Sequence, residues 1–285
     1  MTSPLALALL LAGSTGEHPA APTVAIKWEK KFDDALREAK RSGHPIVVDF
    51  WAEWCGWCHR LERTTYADPT VIQRAQGFVA VRVNTEGSRR ELEVCAKYGV
   101  GERLPVILFL SPEGRQLFRV EGYQGPGQFP RTLDLAHQVG QRVAAWEAAI
   151  DASPNESGPL LSLGRHMLNQ GYYHEATDLL RRAVDNDAGA TIAARREARR
   201  LLAMLAQASR DFAEAERLVK EALSLGPDAN EQPQLLFVLG RTYVSTGRQE
   251  EGEATFEVIV ERFPKSPVAE KAKETLTTLR ASQKR

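Results

Sequence analysis

The chain has 285 residues, 43% hydrophobic and 26% charged, enough for about two domains with cores of their own. Lys plus Arg and Asp plus Glu each number 37, so no net charge directs the molecule to nucleic acid or an anionic membrane surface. Its 3 cysteines are too few for a disulfide scaffold.

The apolar run Leu5–Ala12 and the small and Pro-bearing residues after it predict a signal peptide and linker over residues 1–22. The run is too short to span a bilayer. No Lys or Arg precedes it and no one small-x-small pair singles out a cleavage point, so an uncleaved terminus is the competing expectation. Export predicts a bacterial periplasmic or secreted location, and an uncleaved segment a cytoplasmic one. No later stretch is apolar enough for a transmembrane helix.

From Trp28 to Ala39, apolar residues recur at helical spacing until Gly43 and Pro45 close the pattern. Pro45–Trp51 is a β-branched, nearly unbroken apolar run, the signature of a strand covered on both faces. A helix is predicted over Cys55–Arg63, and another after the N-cap and first-turn pair Asp68-Pro69, ending near Gln76. Phe78–Val83 reads as a strand, Ser88–Tyr98 as a helix and Leu104–Leu110 as a buried strand. The turn Ser111–Gly114 leads into a pairing strand Gln116–Glu121, and a long helix follows Gly127 as far as Ile150. Strands alternating with helices and closing in a hairpin define an α/β sandwich with a mixed sheet over residues 23–150.

Ser, Pro, Asn and Gly cluster over residues 151–159, which predicts a linker. Residues 160–285 are helical and repetitive. Gly164, Ala203 and Gly240 lie about 12 residues ahead of Ala176, Ala215 and Gly252, with Leu180, Val219 and Phe256 four further on. The period resembles the tetratricopeptide repeat, in which small residues mark the crossing of two helices. In the second repeat, Ala206 and Arg210 stand where larger and turn-forming residues are usual. Pro267–Leu279, with Val268, Ala272, Leu276 and Leu279 on one face, predicts a capping helix. The resemblance implies a peptide or protein partner in the groove; a spacer or dimerisation role is the plainer expectation. Arg195, Arg196, Arg199 and Arg200 offer an anionic-peptide contact or, more simply, a solvated face.

Chemistry concentrates at Cys55-Gly56-Trp57-Cys58. A cysteine delivered by a strand to the first turn of a helix meets unpaired N–H groups and the positive end of the dipole, which favour its thiolate. Only the thiolate attacks a disulfide, so Cys55 is the expected nucleophile and Cys58, one turn deeper, the resolving thiol. With His59, the same run satisfies a c-type haem attachment sequence. A structural zinc site needs four ligands, and only Cys95 remains. Cys95 itself reads as a small buried residue.

The segment Asp49-Phe-Trp-Ala-Glu-Trp-Cys-Gly-Trp-Cys58 closely resembles the active-site segment of thioredoxins, and the resemblance extends over about Trp28–Ile150. It implies a thioredoxin-like fold, thiol:disulfide exchange on protein substrates and no metal or organic cofactor beyond the Cys55–Cys58 disulfide. It makes Asp49 the proton acceptor for Cys58 and Pro105 the cis-proline beside the dithiol. Trp54, Gly56, Trp57 and Leu104 fall at the substrate surface. Trp57 stands where thioredoxins usually carry proline. Tyr66–Val71 and Leu104–Phe109 resemble the C-terminal domain of thiol:disulfide interchange reductases, which points to a reductant. The alternative is an adaptor in which the repeats do the main work and the first domain serves as a docking module or redox sensor.

Overall fold

The computed structural model describes residues 25–283, so the expectation for residues 1–22 lies outside the described residues. These fall into two compact units, one ending at Ile107 and including Glu121–Leu133, the other comprising Leu108–Val120 and everything from Asp134 onward.

A five-stranded sheet has the order β1-β3-β2-β4-β5, built from β1 (Trp28–Glu29), β2 (Ile46–Trp51), β3 (Val79–Asn84), β4 (Val106–Leu110) and β5 (Gln116–Glu121). Both β1 and β2 run parallel to β3. The apolar run in β2 is buried on both faces, with Ile46, Val48 and Phe50 fully covered, as expected of a central parallel strand. Between these strands lie α1 (Phe32–Ser42), α2 (Gly56–Arg60), α3 (Pro69–Ala75) and α4 (Arg89–Lys97). Asp68 caps α3 by accepting from the Thr70 and Val71 amides, and Ser88 and Glu91 form a reciprocal capping box on α4. Thus the expected α/β element order is present, with two local differences. Trp28 starts the sheet instead of a helix, because β1 is two residues long and shows no periodicity of its own. The helix after the cysteines widens into a π turn over Leu61–Thr65, where Tyr66 N–H reaches the Leu61 carbonyl at 2.9 Å. The wider turn accompanies the burial of Thr65 and Tyr66.

In the second unit, β5 and α5 (Phe129–Ala152) join the helices that follow. Leu117 of β5 and Val143 of α5 are buried in one apolar cluster with Leu160, Met167 and Leu202. The Gln116 amide donates to the Tyr172 hydroxyl at 3.1 Å. Only residues 153–156 separate α5 from α6 (Ser157–Asn169), so Pro159 sits in the first turn of α6.

Three helix pairs follow: α6 with α7 (Tyr173–Asp185), α8 (Ile192–Ala208) with α9 (Phe212–Ser224), and α10 (Gln232–Ser245) with α11 (Gln249–Arg262). A capping helix, α12 (Ala269–Gln283), closes a cluster containing Phe256, Ala272 and Leu276. The small residues stand where the helices meet. A Cβ on Gly240 would lie 2.9 Å from the Phe256 ring, and one on Gly252 would lie 2.6 Å from a Val244 methyl. Phe256 is fully buried and has nowhere to retreat. Gly240→Val is therefore expected to destabilise the repeats by about 2 kcal/mol, read as a lower urea midpoint.

Each pair turns through the same cap. The amides of Tyr172, Asp211 and Arg248 reach back to the Met167, Ala206 and Tyr243 carbonyls at 2.8–2.9 Å, and the residue before each has a positive φ. That residue is Gly171 or Gly247 in the outer pairs, but Arg210, at φ 66°, in the middle one. Arg210→Gly is expected to add about 0.5–1 kcal/mol by removing the left-handed strain, net of the entropy glycine loses. Thermal denaturation of the two proteins would show it.

The arginines of α8 are not a solvated face. Arg195 and Arg199 both pair with Asp187, and Arg199 also pairs with Glu221. Arg196 pairs with Glu231 and donates to the Leu225 and Gly226 carbonyls. These partners lie on other turns of the chain, which a charge run read by itself does not reveal. Arg200 borders a cavity of about 210 Å³ with Glu197, Glu231 and Gln234.

Candidate redox site

Strand β2 ends at Trp51, and the chain enters α2 through Cys55, which is the N-cap. Cys55 and Cys58 form a disulfide. The Cys58 N–H also donates to Cys55 Sγ at 3.1 Å. After reduction, that amide and the start of the helix favour negative charge on this sulfur rather than on Cys58. Cys55 is 3% exposed and Cys58 fully buried, so Cys55 is the less deeply covered of the two.

Around the disulfide, Ala52, Trp51 and Leu104 pack against the two cysteines. The Leu104–Pro105 bond is cis, the geometry the resemblance implies, and the Pro105 carbonyl accepts from the Gly122 amide at 2.9 Å. Trp54 and Trp57 are 57% and 53% exposed. The Trp54 indole N–H donates to Glu86 at 2.8 Å. Nothing would meet a Cβ on Gly56, so space is open above the backbone between the two sulfurs. His59 turns its Nε2 to the Glu53 carbonyl at 2.8 Å. Cys95 is buried on α4 and unpaired; burial first, then the Glu91 charge, pushes its thiol up. That environment makes it unreactive. Among the described residues no group of three or more His, Cys, Asp or Glu is placed to hold a metal ion.

Asp49 is fully buried in β2. The parallel register sets it beside Arg82 of β3, whose Nε lies 3.1 Å from Asp49 Oδ2. Arg82 also reaches Glu62 at 3.0 Å and lies over the Trp51 ring, 4.6 Å from its centre. Loss of water dominates over these attractions, so burial pushes the Asp49 carboxyl up to about 6, while Arg82 pulls the other way. Asp49 Oδ1 and the buried Tyr66 hydroxyl have no hydrogen-bond partner. No hydrogen bond of ordinary geometry joins the two groups, yet they interact: burial, then the Asp49 charge, holds the Tyr66 phenol well above its usual value. Around Asp49 this cluster brings together Arg82 of β3 with Tyr66 and the exposed Glu62 from the π turn, none of which sequence reasoning assigned to the site. Arg82 left a signal, being the one charge in an otherwise apolar strand. Tyr66 and Glu62 left none.

The chain carries a thioredoxin-like domain with a CxxC disulfide, followed by tetratricopeptide repeats. Residues 27–112 match the thioredoxin-like family and residues 206–276 the tetratricopeptide repeat. Similar proteins include the thiol:disulfide interchange protein DsbD 1 of Pseudomonas aeruginosa, 31% identical over 103 residues that make up 34% of this chain and 17% of that protein. The corresponding protein of Ralstonia nicotianae is 30% identical over 138 residues, 46% of this chain and 22% of that one. The matched segments thus span about a fifth of these relatives' length. Among solved structures, a DsbH oxidoreductase is similar at 22% identity and TM-score 0.38, covering 44% of this chain and 94% of its own. MamA is similar at 19% identity and TM-score 0.44, covering 56% and 86%.

Proposed function

We propose that the chain is a thiol:disulfide oxidoreductase that reduces protein disulfides through Cys55 and Cys58. One observation carries this reading: the two cysteines are joined at the start of a helix, with the Cys58 amide on the Cys55 sulfur. In the reduced enzyme the Cys55 thiolate attacks a substrate disulfide, forming a mixed disulfide and expelling one substrate thiolate. Cys58 loses its proton to Asp49 and attacks Cys55 Sγ. The Cys55–Cys58 disulfide forms and the second substrate thiol leaves, so two electrons have passed to the substrate. An external dithiol donor then restores the reduced pair. Pro105 and Leu104 shape the groove, with Trp54, Gly56 and Trp57 on its rim. The dithiol itself is the redox group, without metal or organic cofactor.

The chain acts in the bacterial periplasm or outside the cell, and its repeats hold a peptide or protein partner. Support for a partner comes from the repeat match and from a cavity of about 420 Å³ lined by Tyr173, Arg181 and Leu205 among others. No helix among the described residues is long and apolar enough to cross a membrane.

The test is the equilibrium redox potential of the purified protein in a dithiothreitol series, with free thiols trapped and mapped. A Cys55–Cys58 couple near about −270 mV supports a reductant, and one near about −120 mV reverses the direction. No reversible couple at any poise would leave the repeats as the working part and the adaptor reading in force.

A further inference from the structure

Trp57 lies between the two cysteines, yet its ring does not lie free on the surface. It packs against Tyr123, centre to centre 5.4 Å. The Arg60 guanidinium sits over both, 5.3 Å from the Trp57 centroid and 5.1 Å from the Tyr123 centroid. Trp57 and Arg60 are three apart on α2 and so share a face. Tyr123 is fixed from the other side. Its hydroxyl lies 3.1 Å from the Thr64 hydroxyl, and the preceding Gly122 amide is bonded to the Pro105 carbonyl. The arginine thus stands on the groove rim, between the turn that carries the cysteines and the loop beside the cis-proline.

Its charge is uncommitted. Arg82 and Arg90 each pair with two carboxylates, whereas Arg60 is exposed and has no carboxylate partner among the described residues. A guanidinium held over two aromatic rings has already lost much of its side-chain freedom, while its charge has no carboxylate to meet. It therefore gains more from a carboxylate than a loose lysine would. Across the site, Glu86 is engaged by the Trp54 indole.

We propose that Trp57, Arg60 and Tyr123 form a specificity surface that selects protein disulfides whose cysteines are flanked by acidic residues, the substrate carboxylate pairing with Arg60. The inference rests on the exchange reaction proposed above and names its substrate class. Arg60 acts on binding; the chemistry remains that of the cysteines.

Two synthetic peptides with one internal disulfide each, identical except for Glu or Lys beside the cysteines, test it in assays of the full chain. Wild type is expected to favour the Glu peptide about fivefold to tenfold in kcat/KM, mostly through KM, with the preference fading in high salt. Arg60→Glu is expected to invert the ratio. Arg60→Lys keeps the charge without the planar guanidinium and is expected to retain part of the preference. The ratio within one variant cancels any change in Cys55 reactivity, so a fold change in rate shared by both peptides does not enter it. Equal rates on the two peptides, or a ratio unchanged in Arg60→Glu, overturn the acidic preference while leaving the exchange reaction standing. Reduction of neither peptide by wild type overturns both.

Discussion

Replacing Cys58 by serine is expected to leave substrate covalently attached to Cys55, and replacing Cys55 by serine to abolish both attachment and turnover. The asymmetry follows from the geometry. Cys55 Sγ accepts the Cys58 amide, and Cys55 is the less deeply covered member of the pair, while Cys58 is fully buried. Without Cys55 the rate should fall by about 10⁴-fold or more, the scale on which loss of a nucleophile is felt. Without Cys58 the first attack still occurs and the mixed disulfide persists. Non-reducing electrophoresis after incubation with a disulfide protein reads both outcomes: an adduct with Cys58→Ser and none with Cys55→Ser. Adducts of equal yield would assign the attack to the wrong sulfur. Full cellular function in the double variant would place the protein's role in its repeats.

Asp49→Asn is expected to act on stability and on rate in opposite directions. The carboxyl has a folded-state value of about 6, above its unfolded value, because burial disfavours the charge. For a group raised in this way, the folded state binds the proton more tightly. The stabilisation is full below about pH 4 and is lost as pH rises through about 6. A shift of about two units corresponds to about 3 kcal/mol. Wild type should therefore lose about 2 kcal/mol of this relative to Asp49→Asn between about pH 4.5 and 7.5, the remainder being lost below that window, with Arg82 still held by Glu62 in the variant. Comparison of urea midpoints at both pH values isolates Asp49 from the other carboxylates. In catalysis, a base near neutrality suits removal of the Cys58 proton, so the variant should resolve mixed disulfide about 10²-fold more slowly and lose a rate inflection near pH 6. A stability difference that does not move with pH would mean Asp49 is charged throughout the range.

Much of the fold was legible because its signals were local. β2 declared itself through an apolar β-branched run, α3 through Asp68-Pro69, and the repeats through small residues at fixed spacing that prove to touch Leu180, Phe256 and Val244. The dithiol was legible for the same reason, as four consecutive residues. What escaped depends on contacts between distant residues. Trp28 belongs to a strand that exists only because β3 pairs with it. The partnership of Asp49 with Arg82 is set by strand register, 33 residues apart in the chain. Tyr123 reaches the site from 59 residues beyond Thr64, and the basic run of α8 pairs with Asp187, Glu221 and Glu231, all outside its own helix. The π turn at Leu61–Thr65 has no compositional signature, since one extra residue per turn leaves the residue types unchanged.

The edge strand β5 and the helix α5 bury Leu117 and Val143 among repeat residues, and Gly140 lets α5 approach Leu117, where a Cβ would sit 3.2 Å from its methyl. Dissecting the protein therefore has no clean seam after residue 150. A stop codon there uncovers Leu117 and strips the Tyr172 hydroxyl from the Gln116 amide, leaving an apolar strand at an open sheet margin, the kind of surface that recruits other chains. Loss of activity or solubility in such a fragment would report on that exposed margin and would say nothing about whether the repeats take part in the chemistry.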